Sequence, residues 1–378
     1  MRRWLAVLVL LAMLPLGVEA AELKVAGKSA VLMDVATGTI LQEHNAHEKL
    51  APASVTKVMT MLLIMEAVDS GKIHLEDMVT ASETAAAKGG SQIYLKAGET
   101  MTVSDMLKSI AVSSANDCAC AMAEHIAGSE EAFVGMMNAR AKELGMEDTT
   151  FVNCTGLDDG ESAVNHRTSA HDIAVMSREL LKNHPKIKEY TTIWMDTVRN
   201  GAFGLSNTNK LVRFYPGATG LKTGFTSGAG YCLSASAQRE GMELVAVVMG
   251  ADTSQNRNNA CKQLLDYGFA NFALISPELT ETADVPVKLG KAEAISPKLG
   301  QEAQLLIDKG QKSSVTTQIT LEPEVTAPVS QGQRLGTMTV KVGEQILREI
   351  PLVAAESVER LTAWDLFVMV LKRAAMAA

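Results

Sequence analysis

Apolar positions recur along this chain with two different periods, and the change between them divides it. Val55 to Val68 is apolar on nearly every side, the pattern of a helix enclosed in a core rather than laid on a surface. Met106 to Ile126 reads as a second, predominantly apolar helical stretch, and Ala170 to Leu181 shows the helical period. Strand patterns lie around them. Ala30 to Val35 and Ile40-Leu41 flank Gly38 as a hairpin, Lys222 to Ala237 suits an edge strand, and Glu243 to Gly250 is a strongly apolar strand. Helices mixed with such strands predict an α/β (α+β) domain over residues 21–276. From Pro277 the texture changes. Val285 to Val353 is rich in Val, Ile and Thr, with turn signals at Gly290, Gly300, Gly310, Gly332 and Gly343, which predicts a small all-β domain over 277–355.

Both ends read as membrane-related. Arg2 and Arg3 precede an apolar run from Trp4 to Leu16, and Val18-Glu19-Ala20 offers small residues at the two positions a signal peptidase reads. Residues 1–20 are therefore expected to be a signal peptide, with an uncleaved N-terminal anchor as the alternative, and the mature chain is expected to work outside the cytoplasm. In the tail, 356–378, Leu361, Trp364, Phe367, Val368 and Leu371 recur at helical spacing. Glu359, Thr362, Asp365, Lys372 and Arg373 gather on the opposite side, and Arg360 is a misfit near the stripe. The longest uninterrupted apolar run, Leu366 to Leu371, falls far short of the ~20 residues of a spanning helix. An amphipathic helix lying on the membrane surface is expected, against the alternative of a helix packed on its own β-domain or in a dimer.

Composition narrows the classes further. Of 378 residues 47% are hydrophobic and 21% charged, ordinary globular proportions. A formal charge of −8 with only 4% aromatics removes the electrostatic footprint of a nucleic-acid binder. The five cysteines (Cys118, Cys120, Cys154, Cys232 and Cys261) show no zinc spacing and read as buried thiols. The seven histidines show neither HxH nor HExxH, so no metal site is expected.

Three short motifs stand in one order within the first domain. In Ser54-Val55-Thr56-Lys57, residues three apart on a helix share a face, which sets the Lys57 amine beside the Ser54 hydroxyl. A serine is a weak nucleophile until a base takes its proton, and a partly buried lysine with a lowered pKa can do so. In Ser114-Ala115-Asn116 a hydroxyl and a carboxamide can serve as proton relay and substrate partner, although helix capping is their commoner duty. In Lys222-Thr223-Gly224, followed by Phe225-Thr226, a charge and a hydroxyl can meet a carboxylate, and Gly224 would let a ligand approach the backbone. Each motif alone is weak.

Together, SxxK, SxN and KTG in this order resemble the penicilloyl-serine transferases. Ala51-Pro-Ala-Ser-Val-Thr-Lys, Thr155-Gly-Leu-Asp, Lys222-Thr-Gly-Phe-Thr and Ala229-Gly-Tyr-Cys-Leu-Ser-Ala-Ser-Ala resemble the D-alanyl-D-alanine carboxypeptidases, the low-molecular-weight penicillin-binding proteins. Gln331-Gly-Gln and Pro351-Leu-Val resemble that family's β-rich C-terminal domain. The resemblance implies a penicillin-binding/β-lactamase-like serine transferase fold. It implies that Ser54 attacks the penultimate D-alanine carbonyl of a peptidoglycan stem peptide with Lys57 as base, and that Ser114 returns a proton to the leaving amine. Asn116 would bind the substrate amide and help hold Lys57. Lys222 would keep the pocket positive, and Thr223 with Arg257 would hold the terminal carboxylate, where the plain alternative for Arg257 is a solvated surface residue. The backbone N–H groups of Ser54 and Phe225 would form the oxyanion hole, a β-lactam would acylate the same serine, and no metal or organic cofactor is required. Glu161 stands four residues before Asn165, a spacing similar to that of class A β-lactamases. The second acidic residue of that pattern is missing, Ala115 stands where those enzymes usually have Asp, and the appended β-domain has no place in them. A D,D-endopeptidase shares the same motifs, and a silent wall-binding scaffold is disfavoured by the complete motif set.

Overall fold

In the computed structural model, which describes residues 25–158, 161–279 and 282–376, the most apolar strand lies at the centre of a five-stranded antiparallel sheet. The expected signal peptide falls outside the described residues. The strands are β1 (Ser29–Asp34), β2 (Ile40–His44), β3 (Ala218–Thr226), β4 (Gly230–Arg239) and β5 (Met242–Ala251), in the order β2-β1-β5-β4-β3. In β5, Val245, Val247 and Met249 enter one core while Leu244, Ala246 and Val248 enter the other. With both faces covered, no polar side chain is needed, hence the continuous apolar run.

Helices α1 (Lys57–Asp69), α2 (Val103–Ser113), α3 (Asn116–Ala127), α4 (Glu130–Glu143) and α5 (Ala170–Asn183) build the larger core, and α6 (Ser254–Asn271) covers the opposite face. Helix α1 is buried almost all round, as its pattern predicts. The starts of α2, α4, α5 and α6 are each written in the sequence: Thr102, Ser129, Ser169 and Thr253 accept a backbone N–H of the first turn. Arg140 on α4 reaches Glu66 on α1 and Glu179 on α5, both at 2.7 Å, and ties three helices together.

Two expected elements divide. The stretch Met106–Ile126 is broken at Ser114, which adopts a left-handed conformation (φ 64°) between α2 and α3. The run Lys222–Ala237 is two strands, because Ser227-Gly228-Ala229 turns the chain back into β4; of these two, β3 is at the sheet edge and β4 is not.

The C-terminal region is all β as expected, with a four-stranded sheet formed by Pro297–Leu299, Gln345–Ala354, Arg334–Val342 and Val315–Leu321. Its pairing begins before Pro277, since Phe272–Ile275 pairs with Leu305–Asp308. The tail helix α7 (Ala363–Met376) starts later than its apolar stripe predicts. Leu361 is not in it but donates its backbone N–H to Leu289, and Val358 exchanges hydrogen bonds with Val329. Thr362 Oγ1 accepts the Asp365 N–H at 3.2 Å and sets the helix start. Among the described residues no helix is long and apolar enough to cross a membrane.

Candidate active site

Ser54 sits in a 3₁₀ turn, Ala53–Thr56, that leads directly into α1. Ala53, the residue before it, has φ 48°, a left-handed conformation that costs a non-glycine residue energy and here turns the chain abruptly under the hydroxyl. One helical turn on, Lys57 Nζ donates to Ser54 Oγ at 2.9 Å and to the Thr155 carbonyl at 2.8 Å. Lys57 is fully buried, and desolvation lowers its pKa to about 7 against the smaller opposing influences of Cys154 and Asp117. Near neutrality the amine therefore exists in both protonation states, one donating to Ser54 and the other able to accept its proton.

The Thr155 carbonyl is held by its own loop. Asn153 Oδ1 accepts the N–H groups of Thr155 (3.1 Å) and Gly156 (2.6 Å), while Thr60 donates to the Cys154 carbonyl at 2.6 Å. Gly156 has φ 81°, and a Cβ there would fall 1.8 Å from the Ala53 carbonyl oxygen, so only glycine lets this loop close on the nucleophile turn. Thr155 and Gly156 were legible only as part of a resembling string; no local pattern marks a backbone carbonyl as a lysine anchor.

Ser114 and Asn116 are both buried, and neither is a helix N-cap: Ser114 closes α2 as its C-cap, and the N-cap of α3 is Ala115. The N-capping alternative is thereby removed. Asn116 does not hold Lys57 as the resemblance implies. Its Nδ2 donates to the Gly89 carbonyl at 2.7 Å, and its buried Oδ1 has no hydrogen-bond partner among the described residues. The next residue, Asp117, is a functional side chain that the motif reading missed. Its carboxylate accepts the N–H groups of Ile93 (3.1 Å), Leu95 (3.0 Å) and Cys118 (2.9 Å), fixing the loop on which Asn116 rests.

Strand β3 brings the third motif against the first. A Cβ on Gly224 would lie 2.7 Å from the Pro52 carbonyl oxygen and 3.0 Å from the Val55 nitrogen. The nucleophile turn itself thus makes a close approach at this glycine. Lys222 is fully buried and held well below the usual lysine range, first by burial and then by the charges of Lys57 and Arg257. Thr223 Oγ1 donates to Thr208 Oγ1 at 2.7 Å. Phe225 is exposed and lies on the Tyr231 ring at 4.3 Å.

Arg257, in the first turn of α6, is buried, which excludes the solvated alternative. Its guanidinium donates to Asn258 Oδ1 (3.1 and 3.0 Å) and to the Cys232 carbonyl (3.5 Å), opposite Gly224 in the β3–β4 register. It is therefore one strand away from the motif and acts on Lys222 by charge, not by contact with Thr223. The β-lactamase-like Glu161 lies in a short 3₁₀ turn, Glu161–Asn165. His166, just beyond that turn, is buried and bonded to Thr56 at 2.8 Å, and burial lowers it to about 4. All five cysteines are buried and free, in line with their reading as small hydrophobes.

Comparison with known proteins matches both regions. A family model described as D-alanyl-D-alanine carboxypeptidase covers residues 17–253, and one described as the C-terminal domain of penicillin-binding protein 5 covers 277–360. The chain is 44% identical to the D-alanyl-D-alanine carboxypeptidase DacF of Bacillus subtilis, over 91% of this chain and 89% of that one. It is 36% identical to DacC of Escherichia coli, over 90% and 87%. Among solved structures, penicillin-binding protein 5 of Haemophilus influenzae superposes with a TM-score of 0.75 at 31% identity, covering 89% of this chain and 99% of that one. Penicillin-binding protein D2 of Listeria monocytogenes, solved in an ampicillin-bound form, gives 0.60 at 32% identity over 65% of this chain and 99% of that one.

Proposed function

The chain belongs to the D-alanyl-D-alanine carboxypeptidase family, and we propose that it removes the terminal D-alanine from peptidoglycan stem peptides through an acyl-enzyme on Ser54. The observation that carries this reading is the buried Lys57 amine, brought to about 7 and set 2.9 Å from Ser54 Oγ. Neutral Lys57 takes the hydroxyl proton as Oγ bonds to the carbonyl carbon of the penultimate D-alanine. The oxyanion is received by the backbone N–H groups of Ser54 and Phe225. As the tetrahedral species collapses, the C–N bond breaks and Ser114 passes a proton to the departing D-alanine nitrogen while regaining the one that Lys57 took from Ser54. Water then attacks the acyl-enzyme, returning the carboxylate product and the free serine. Asn116, with its unpartnered Oδ1, is suited to accept a substrate amide N–H. At the far end, burial disfavours the charged form of Lys222, and the terminal carboxylate of the substrate would favour it again beside Arg257 and the Thr223 hydroxyl.

A β-lactam presents an acyl group to the same serine and leaves an adduct. Mass spectrometry after penicillin treatment is expected to find a single penicilloyl group on the Ser54 peptide, and Ser54→Ala to abolish both labelling and D-alanine release. A label mapped to Ser114 or elsewhere overturns the assignment. Cell-wall remodelling at the outer face of the cytoplasmic membrane is the setting this reading supports, after export through the leader read at residues 1–20. Peripheral anchoring is supported by α7, which leaves Trp364, Phe367, Val370 and Leu371 exposed.

A further inference from the structure

The segment Asn207-Thr208-Asn209 is built unlike an ordinary surface loop. Asn207 and Asn209 are buried while Thr208 between them is exposed. Asn207 Nδ2 donates to the Thr191 (3.3 Å) and Ile193 (2.7 Å) carbonyls, and its Oδ1 accepts the Asn209 N–H at 2.8 Å. Asn209 Nδ2 donates to the Gly220 carbonyl of β3 at 2.9 Å. The Thr208 backbone N–H reaches the Val112 carbonyl at 3.2 Å, two residues before Ser114. A single exposed hydroxyl is thus fixed from two sides, at the seam between the element carrying Ser114 and the strand carrying Lys222 and Thr223.

That hydroxyl meets one partner of consequence. Thr223 Oγ1 donates to Thr208 Oγ1 at 2.7 Å, which commits the Thr223 proton and leaves the proton of Thr208 free to point elsewhere. Hydrogen bonds in such a chain polarise one another, so the outer hydroxyl becomes the better donor. We propose that Thr208 is a specificity-determining residue of the reaction: its hydroxyl, which accepts from Thr223, donates its own proton to the C-terminal carboxylate of the substrate, at the strand that carries Lys222. The inference rests on the carboxypeptidase reading, which assigns the carboxylate to this end of the cleft.

The test compares a peptide ending in D-alanyl-D-alanine with the same peptide carrying a C-terminal carboxamide. In Thr208→Val, which keeps shape and removes the hydroxyl, the acid-to-amide ratio of kcat/KM is expected to fall by at least about tenfold, the scale of a lost hydrogen bond to a charged group. The loss should fall mainly on KM, and Thr208→Ser should restore the ratio. An equal loss on both substrates would show that Thr208 only holds the loop, and an unchanged ratio would show that it does not meet the carboxylate; either overturns the proposal. A wild-type ratio near one, unaltered by Thr223→Val, would instead remove the carboxylate reading itself and the proposal with it.

Discussion

A lysine that must act as a base near neutrality is made by burial, and Lys57 carries the cost of that. With its pKa brought to about 7, roughly half the molecules hold the free amine at that pH, and each unit below leaves about tenfold fewer. Penicillin acylation is expected to rise with pH as a single titration, with unit slope below about pH 6 and a plateau above about 8, measured as the second-order labelling rate. Lys57→Arg keeps a charge that cannot be released and should lose at least about 10²-fold at every pH. Near-normal acylation by that variant would move the base elsewhere. The stability consequence runs in the same direction as the catalytic one. Between about 7 and the ordinary 10.5 the unfolded chain binds one more proton than the native one, so this site's contribution to stability rises with pH and is lost as pH falls toward 7. Lys57→Met removes the penalty of the buried charge. That variant is expected to be inactive yet to melt above the wild type at pH 6.

At the scale of elements, catalysis depends on how closely β3 and the Thr155 loop press on the nucleophile turn. Gly224 has an ordinary backbone conformation, so its constraint is purely spatial: a methyl group there meets backbone atoms of Pro52 and Val55 that cannot swing away. Gly224→Ala is expected to push β3 off the turn, displacing the Phe225 N–H from the oxyanion position. The acylation rate should fall by about 10² or more, the scale of a lost oxyanion donor, while overpacking costs about 1–3 kcal/mol of stability. Labelling kinetics and thermal unfolding on the same sample separate the two, and a variant that melts lower but acylates normally would contradict the argument. The elements themselves were largely legible, because α1 and β5 are enclosed on all sides and their residues need obey no polar periodicity. The break at Ser114 was not, because the apolar pattern runs straight through it and the left-handed turn is closed by backbone bonds, from Ser114 and Ala115 to the Ser109 carbonyl and from Asn116 to that of Ser91, that no side-chain pattern marks. Asp117 escaped for a related reason. A carboxylate in the first turn of a helix looks like ordinary dipole compensation, whereas here its partners lie more than twenty residues upstream, at Ile93 and Leu95.

For the whole molecule, the β-domain is joined to the catalytic domain by more than a tether. Phe272–Ile275 runs out of α6 straight into pairing with Leu305–Asp308, and Lys309 donates to the Phe269 carbonyl at 3.1 Å. The far end of the β-domain is closed by the chain that leads to α7: Val358 pairs with Val329, and Arg360 bridges Gly290. These backbone bonds satisfy strand edges and bury Val358, so they belong to the fold of the domain. Beyond Leu361 the character reverses. Trp364 is 70% exposed and Phe367 53%, and the two rings stack on each other at 5.6 Å instead of entering a core. An aromatic and aliphatic surface on a helix too short to span a bilayer gains its free energy by lying in the headgroup boundary. Ending the chain after Leu361 keeps the edge pairings and removes only the helix. The truncated protein is expected to remain in the supernatant when sedimented with anionic phospholipid vesicles that carry down the full chain, with kcat/KM on a soluble stem peptide within about twofold. Sedimentation equal to that of the full chain would place the membrane contact elsewhere. Loss of activity would instead mean that the helix takes part in the fold, which its exposed rings argue against.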